Sequence, residues 1–187
     1  MIKKIFLVIG IIFVLLILCV VLFCLMILST NLPKGNHEEV LKSDGQPIGK
    51  ALIIYQPSIS NISSRMAHQI AKGLNDSGYE VTMNYPGKKL TYDISSYQVV
   101  IFGSPAYWSN SSKALIDYIK SIKDYSLGKV VLYSTGIAMN SMDEFDAMEK
   151  SLKDVKPYKV FKFDTNLKKE ENENTAYELG KELSKND

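Results

Sequence analysis

A chain of 187 residues is long enough for one ordinary domain with an attachment, and too short for two full domains. Its 22 Lys and Arg against 20 Asp and Glu leave a net charge of +2. That balance gives no nucleic-acid surface and no strongly acidic docking face, and no basic cluster interleaves with aromatics. Both cysteines, Cys19 and Cys24, lie in one apolar run, so the remainder excludes disulfides, Cys-ligated clusters and thiol catalysis.

That run, Ile5 to Leu28, has no charged residue and no proline. As a helix it would span about 36 Å, against about 30 Å of hydrocarbon. Residues 1–30 therefore read as a single-pass anchor in a cell membrane, with the transmembrane helix at about 5–28. A cleaved signal is the alternative, but its apolar region is usually about 7–15 residues and ends at small residues. Here the run leads into Ser29-Thr30, and Leu18 and Phe23 precede the cysteines where a lipoprotein signal needs a small residue. Lys3 and Lys4 precede the helix and Lys34 and Lys42 follow it. With the α-amino group, this slightly favours a cytoplasmic N-terminus and a domain outside.

Residues 31–48 are polar and turn-forming, and read as a flexible linker with a coil dimension of roughly 23 Å. From 49 to 187 strand and helix signals alternate. Ala51 to Tyr55 is a short apolar run suited to a strand buried on both faces. Ile62, Met66, Ile70 and Leu74 form a helical stripe closed by Gly78. Tyr79 to Met83 is a second strand, and Val99 to Gly103 a third after at most one helical turn. Leu115, Ile119 and Ile122 mark the next helix, and Lys129 to Tyr133 a fourth strand. Ser141-x-x-Glu144 reads as a capping box opening a helix whose Phe145, Met148, Leu152 and Val155 face the core. Tyr158 to Phe163 is the fifth strand, followed by a helix with Ala176, Leu179 and Leu183 inside. The alternation predicts an α/β fold, a parallel sheet with helices on both faces.

In such a sheet, ligands bind beyond the carboxyl ends of the strands. After the first strand, Ser58, Ser60, Asn61, Ile62 and Ser63 lead into a helix whose free N–H groups and dipole attract a phosphate. The alternative is that Ser60, Asn61 or Ser63 only caps the helix. After the third strand, Ser104-Pro105-Ala106-Tyr107-Trp108 sets two adjacent aromatics before a helix capped by Ser109, Asn110 or Ser111. Aromatics there suit stacking on a planar ring whose phosphate sits in the first loop. The third loop, Ser134 to Asn140, offers backbone groups that suit the polar edge of such a ring. His37 falls in the linker and His68 on the polar side of a helix, with no second ligand at metal spacing. Lys150 to Lys169 reads as a solvated surface, and Asp143, Glu144, Asp146 and Glu149 as acids at a helix start.

The run Leu52 to Tyr85, with Tyr55-x-x-Ser58-x-Ser60-Asn61-x-Ser63 and Met66-Ala67-x-x-Ile70-Ala71-x-Gly73-Leu74, resembles the opening of flavodoxin-like proteins. So do Tyr97 to Tyr107 and Gly128 to Gly136, in order and with fitting gaps. The resemblance implies a doubly wound five-stranded sheet in order 2-1-3-4-5 and noncovalent FMN. It implies that Ser58, Ser60, Asn61 and Ser63 hold the phosphate, that Tyr107 stacks on the flavin beside Trp108, and that Thr135 and Gly136 begin the loop at the ring's other edge. The chain departs from the family where Asn61 and Ile62 replace a Gly-Asn pair; Asn tolerates the left-handed backbone, while Ile62 removes a polar group. The fourth-strand loop also lacks the usual outer aromatic, leaving Met139 or Trp108 to cover that face, and the domain is nearly neutral where many flavodoxins are acidic.

With the anchor, these features point to an electron carrier serving a membrane-associated redox partner protein or quinone. The alternatives are a quinone reductase or menaquinone-linked protoporphyrinogen dehydrogenase, and a flavin-free binding module.

Overall fold

The computed structural model describes residues 2–125, 128–137, 141–153 and 155–185. Helix α1, Ile2–Ser29, is exposed along almost its whole length and is long and apolar enough to cross a membrane. Six strands follow: β1 (Glu39–Leu41), β2 (Gly49–Tyr55), β3 (Tyr79–Asn84), β4 (Val99–Pro105), β5 (Lys129–Gly136) and β6 (Lys159–Asp164). Helices α2 (Ile62–Asp76), α3 (Lys113–Ser121), α4 (Asp143–Ser151) and α5 (Lys169–Leu183) alternate with them. Between β3 and β4 there is one 3-10 turn, Ile94–Ser96.

The sheet runs β1-β3-β2-β4-β5-β6, with β2 to β6 parallel and β1 antiparallel to β3. It therefore has six strands rather than the expected five, and the additional strand comes from the segment read as linker. Side chains alternate across a strand, and both faces of this sheet are covered. Ile53, Tyr55, Val81, Ile101, Tyr133 and Phe163 pack with Met66, Ile70, Ala176 and Leu179 of α2 and α5. Leu52, Ile54, Val100, Phe102 and Leu132 pack with Leu115, Ile119, Phe145 and Met148 of α3 and α4.

Residues 31–48 are not a free coil throughout, because polar groups at several of their positions are matched by the domain. Asn84 donates from Nδ2 to Asn36 Oδ1 at 2.6 Å and accepts the His37 N–H at Oδ1 at 2.8 Å. The Tyr92 hydroxyl donates to Glu38, and Val40 pairs with Thr82 in the β1–β3 ladder. The end of α1 is held as well. Gln56, fully buried just past β2, donates from Nε2 to Thr30 O at 2.6 Å and Leu32 O at 3.1 Å. Ser112 Oγ donates to the same Thr30 carbonyl at 3.2 Å, and the Lys113 N–H donates to Asn31 Oδ1 at 3.0 Å. Ile27 and Thr30 are buried in that contact.

Candidate functional site

The loops leaving the carboxyl ends of β2, β4 and β5 meet at one edge of the sheet. In the first, Asn61 occupies the N-cap of α2 with φ +59°, the left-handed conformation that Asn tolerates best among non-glycine residues. Its side chain makes no capping bond. Ser58 acts instead, its Oγ accepting the Ser63 N–H at 3.2 Å. Ser60 and Asn61 are exposed, Ile62 is half-buried against the core, and Ser63 is fully buried. Among the described residues neither Ser63 Oγ nor Ser64 Oγ has a hydrogen-bond partner. Buried hydroxyls are normally paired, so two orphans in the first turn of a helix mark a place where an acceptor is wanted.

The second loop does not run straight into its helix. Tyr107 and Asn110 exchange backbone bonds of 3.1 Å each way, closing a two-residue turn over Trp108 and Ser109. Both central residues have positive φ, 49° and 57°, as a type I′ turn requires. Asn110 Nδ2 donates to Trp108 O at 2.7 Å across the turn. Neither Ser109, Asn110 nor Ser111 caps α3, because the hairpin uses the first two. The N-cap is Ser112, whose N–H donates to Ser104 Oγ at 2.8 Å. Trp108 stands 72% exposed at the tip. Tyr107 leans back across the first loop, its hydroxyl accepting the Ile59 N–H at 3.0 Å.

Ser104, Pro105, Thr135 and Gly136 belong to strands rather than to loops. Ser104 is fully buried and bonded to Pro105 O, which gives it a structural task. Thr135 O accepts the Ala106 N–H at 2.9 Å and Gly136 O the Thr165 N–H at 3.0 Å, so these residues tie the loops together. The strand continues through Gly136 because its register with β6 runs to Asp164. The third loop begins at Ile137, and Met139 lies outside the described residues.

Between the second and third loops a cleft of about 300 Å³ is lined by Ala106, Tyr107, Trp108, Gly136, Ile137, Glu144 and Lys162. The last two correct the sequence reading. Glu144 does not reach back to form a capping box: Met142 holds the N-cap of α4, and Ser141 Oγ accepts the Asp143 N–H at 3.4 Å. The Glu144 side chain is fully buried, with Oε1 2.7 Å from Lys162 Nζ and accepting the Ser134 hydroxyl at 2.7 Å. Lys162 also donates to Ser141 O at 2.6 Å and is 4% exposed, so the Lys150–Lys169 stretch is not wholly a solvated surface. Period-two alternation in β6 sets Lys162 on the same face as Val160, which packs on the α3–α4 side. That alternation was the signal available in sequence for Lys162. Glu144 had none, since an acid three residues after a serine reads as a cap. Glu144 Oε2 has no partner among the described residues.

The two histidines meet as well. His37 Nε2 and His68 Nε2 lie 2.9 and 3.1 Å from the two oxygens of Glu39, tying β1 to α2. His37 stacks on Tyr85 at 4.7 Å between centroids. No cluster of three His, Cys, Asp or Glu suited to a metal ion occurs among the described residues.

No protein-family model matches the chain, and no curated protein matches it. Solved structures do. Oxidised flavodoxin 1 of Bacillus cereus is 16% identical with a TM-score of 0.59, covering 72% of this chain and 96% of its own. Flavodoxin 2 of the same organism is 17% identical with a TM-score of 0.55, covering 70% of this chain and 94% of its own. A Lactobacillus acidophilus flavoprotein in complex with FMN is 16% identical with a TM-score of 0.50, covering 61% and 93%. The fold is flavodoxin-like. At these identities the likeness carries the architecture; the chemistry rests on this chain's own residues.

Proposed function

We propose that this chain is a membrane-tethered FMN protein that passes electrons between a donor and a membrane-associated acceptor, a quinone or a redox protein. The observation that carries the cofactor is the first loop. Its Ile59 and Ser63 N–H groups are donors held by the internal acceptors Tyr107 Oη and Ser58 Oγ, and Ser63 Oγ is orphaned beside them. A helix N-terminus with such a donor set, and no carboxylate among residues 56–64, fits a phosphate dianion. Ser58, Ser60, Asn61 and Ser63 are its holders; Ile62 anchors the turn through the core instead of contributing a polar group. Tyr107 and Trp108 flank the adjoining cleft and suit a planar ring.

FMN supplies one- and two-electron redox chemistry when bound. This chain's residues bind, orient and tune. The Lys162 ammonium and its buried partner Glu144 both line the cleft, and as a neutral pair they bring no net charge to it. Ala106 and Gly136 hold the two loops in contact distance, where a Cβ on Gly136 would stand 3.3 Å from that of Ala106.

The test is the acceptor. Reduced full-length protein in vesicles should be reoxidised faster by a lipid-dissolved quinone than by a water-soluble acceptor of equal driving force. Equal rates contradict a membrane-associated partner. Multiple-turnover quinone reduction with a soluble donor would instead support the enzyme reading, a quinone reductase or a menaquinone-linked protoporphyrinogen dehydrogenase.

A further inference from the structure

We infer that the carboxyl edge of the sheet, where the candidate site opens, lies directly against the bilayer surface. The inference rests on the reading of α1 as a transmembrane helix. At 28 residues α1 is about 42 Å long, close to the roughly 40–45 Å of a bilayer with its headgroups. Its last residue, Ser29, therefore emerges among the headgroups. No slack follows it. Thr30 O, Asn31 Oδ1 and Leu32 O are bonded to Gln56, Ser112 and Lys113, residues that follow β2 and open α3 at the carboxyl edge. A domain fastened within three residues of the helix end cannot swing its opposite edge to the lipid without breaking these contacts.

The surface at that edge suits the position. Ile59, Trp108, Ile137, Met142 and Leu167 are large apolar residues, each at least 42% exposed, in loops that leave the carboxyl ends of β2, β4, β5 and β6. They are not needed for the core, and a Trp with its polar N–H is the side chain most at home in the headgroup layer. Lys88 and Lys113 border the cleft that also holds Asn31, Leu32 and Pro33, where long cationic side chains reach phosphates. Among the described residues the amino-terminal edge shows only Ile48 and Tyr158 in this class. The occupant is thus the lipid surface itself, and an acceptor would reach the site from within the membrane.

Trp108 is the only tryptophan, so its emission reports on this edge alone. The full chain is reconstituted into phosphatidylcholine–phosphatidylglycerol vesicles with and without acyl-chain bromine, and flotation confirms insertion. A double variant, Trp108→Phe with Tyr158→Trp, carries its indole at the opposite edge. The inference predicts that bromolipid lowers Trp108 emission by about twofold or more and that iodide quenches it little, with the reverse pattern in the double variant. Intensities are compared at equal flavin content, so the ratio is readable whether or not FMN binds. A chain that floats with the vesicles yet leaves Trp108 open to iodide and insensitive to bromolipid overturns the inference alone. A chain that does not float overturns the anchor reading and the inference together.

Discussion

Among the described residues Ser63 Oγ is buried without a partner, and that makes it a clean probe of the phosphate loop. Ser63→Ala removes a hydroxyl that no described residue bonds, so thermal stability should hold within about 0.5 kcal/mol. If the hydroxyl donates to a phosphate, FMN affinity should fall about tenfold while riboflavin affinity stays unchanged. Parallel titrations of both flavins check this. The Glu144–Lys162 pair makes the opposite demand. Both charges are buried and paired with each other, Glu144 also accepting the Ser134 hydroxyl and Lys162 donating to Ser141 O, so Glu144→Gln or Lys162→Met alone should cost about 3–5 kcal/mol in denaturant unfolding. The double change Glu144→Leu with Lys162→Met should recover most of that loss, since an apolar pair leaves no unpaired charge. The left-handed Asn61 could be read from sequence because its side chain chemistry permits the conformation. The Glu144–Lys162 contact could not, because it joins residues 18 positions apart that each carry a plausible surface role.

Among the elements, the tightest joint is between α2 and α5. A Cβ on Gly180 would stand 2.2 Å from Ile70 O, and one on Gly73 2.1 Å from Tyr177 O, so the two helices touch backbone to backbone. Gly180→Ala should cost about 1–3 kcal/mol despite alanine's better helix propensity, and chemical denaturation would read it. At Gly103, in β4, the close neighbour is a side chain instead: the Tyr133 ring lies 2.0 Å from where a Cβ would be. The helices and parallel strands were legible because apolar periodicity records which faces are covered. The edge strand Glu39–Leu41 was not, because three residues give too short a pattern and their burial is partial. The Tyr107–Asn110 hairpin was hidden for a different reason. A type I′ turn usually announces itself with Asn-Gly, and here Trp108-Ser109 take the positive φ without it.

At the scale of the whole molecule, most of the tyrosines serve the core. Burial pushes the hydroxyls of Tyr55, Tyr118, Tyr125 and Tyr133 well above their ordinary range, with neighbouring tyrosines adding to the effect at the first three. The folded chain keeps these protons when the unfolded chain loses them near about pH 10. Their contribution to stability is therefore fully present below about pH 10 and is lost as pH rises toward the folded-state values. Urea midpoints should be flat up to about pH 9 and fall steeply by about pH 11. Flat midpoints to the higher pH would show that the rings are open to solvent. The docking of residues 30–32 onto Gln56 and Ser112 belongs to this scale too. Nothing in a polar, turn-rich segment declares that its carbonyls will be taken by a glutamine behind a buried strand. The sequence reading therefore allowed a loose tether where the fold has a fixed one.

The central claim is that the first-loop donors and the adjoining cleft hold FMN. The most direct measurement is the visible absorption spectrum of the full-length protein purified in detergent, followed by titration with FMN and with riboflavin. The account predicts bound-flavin bands, saturable FMN binding, and at least about tenfold weaker binding of riboflavin, which lacks the phosphate. No flavin bands and no FMN binding at high concentration would contradict it, and would leave a flavodoxin-like fold used as a flavin-free binding module.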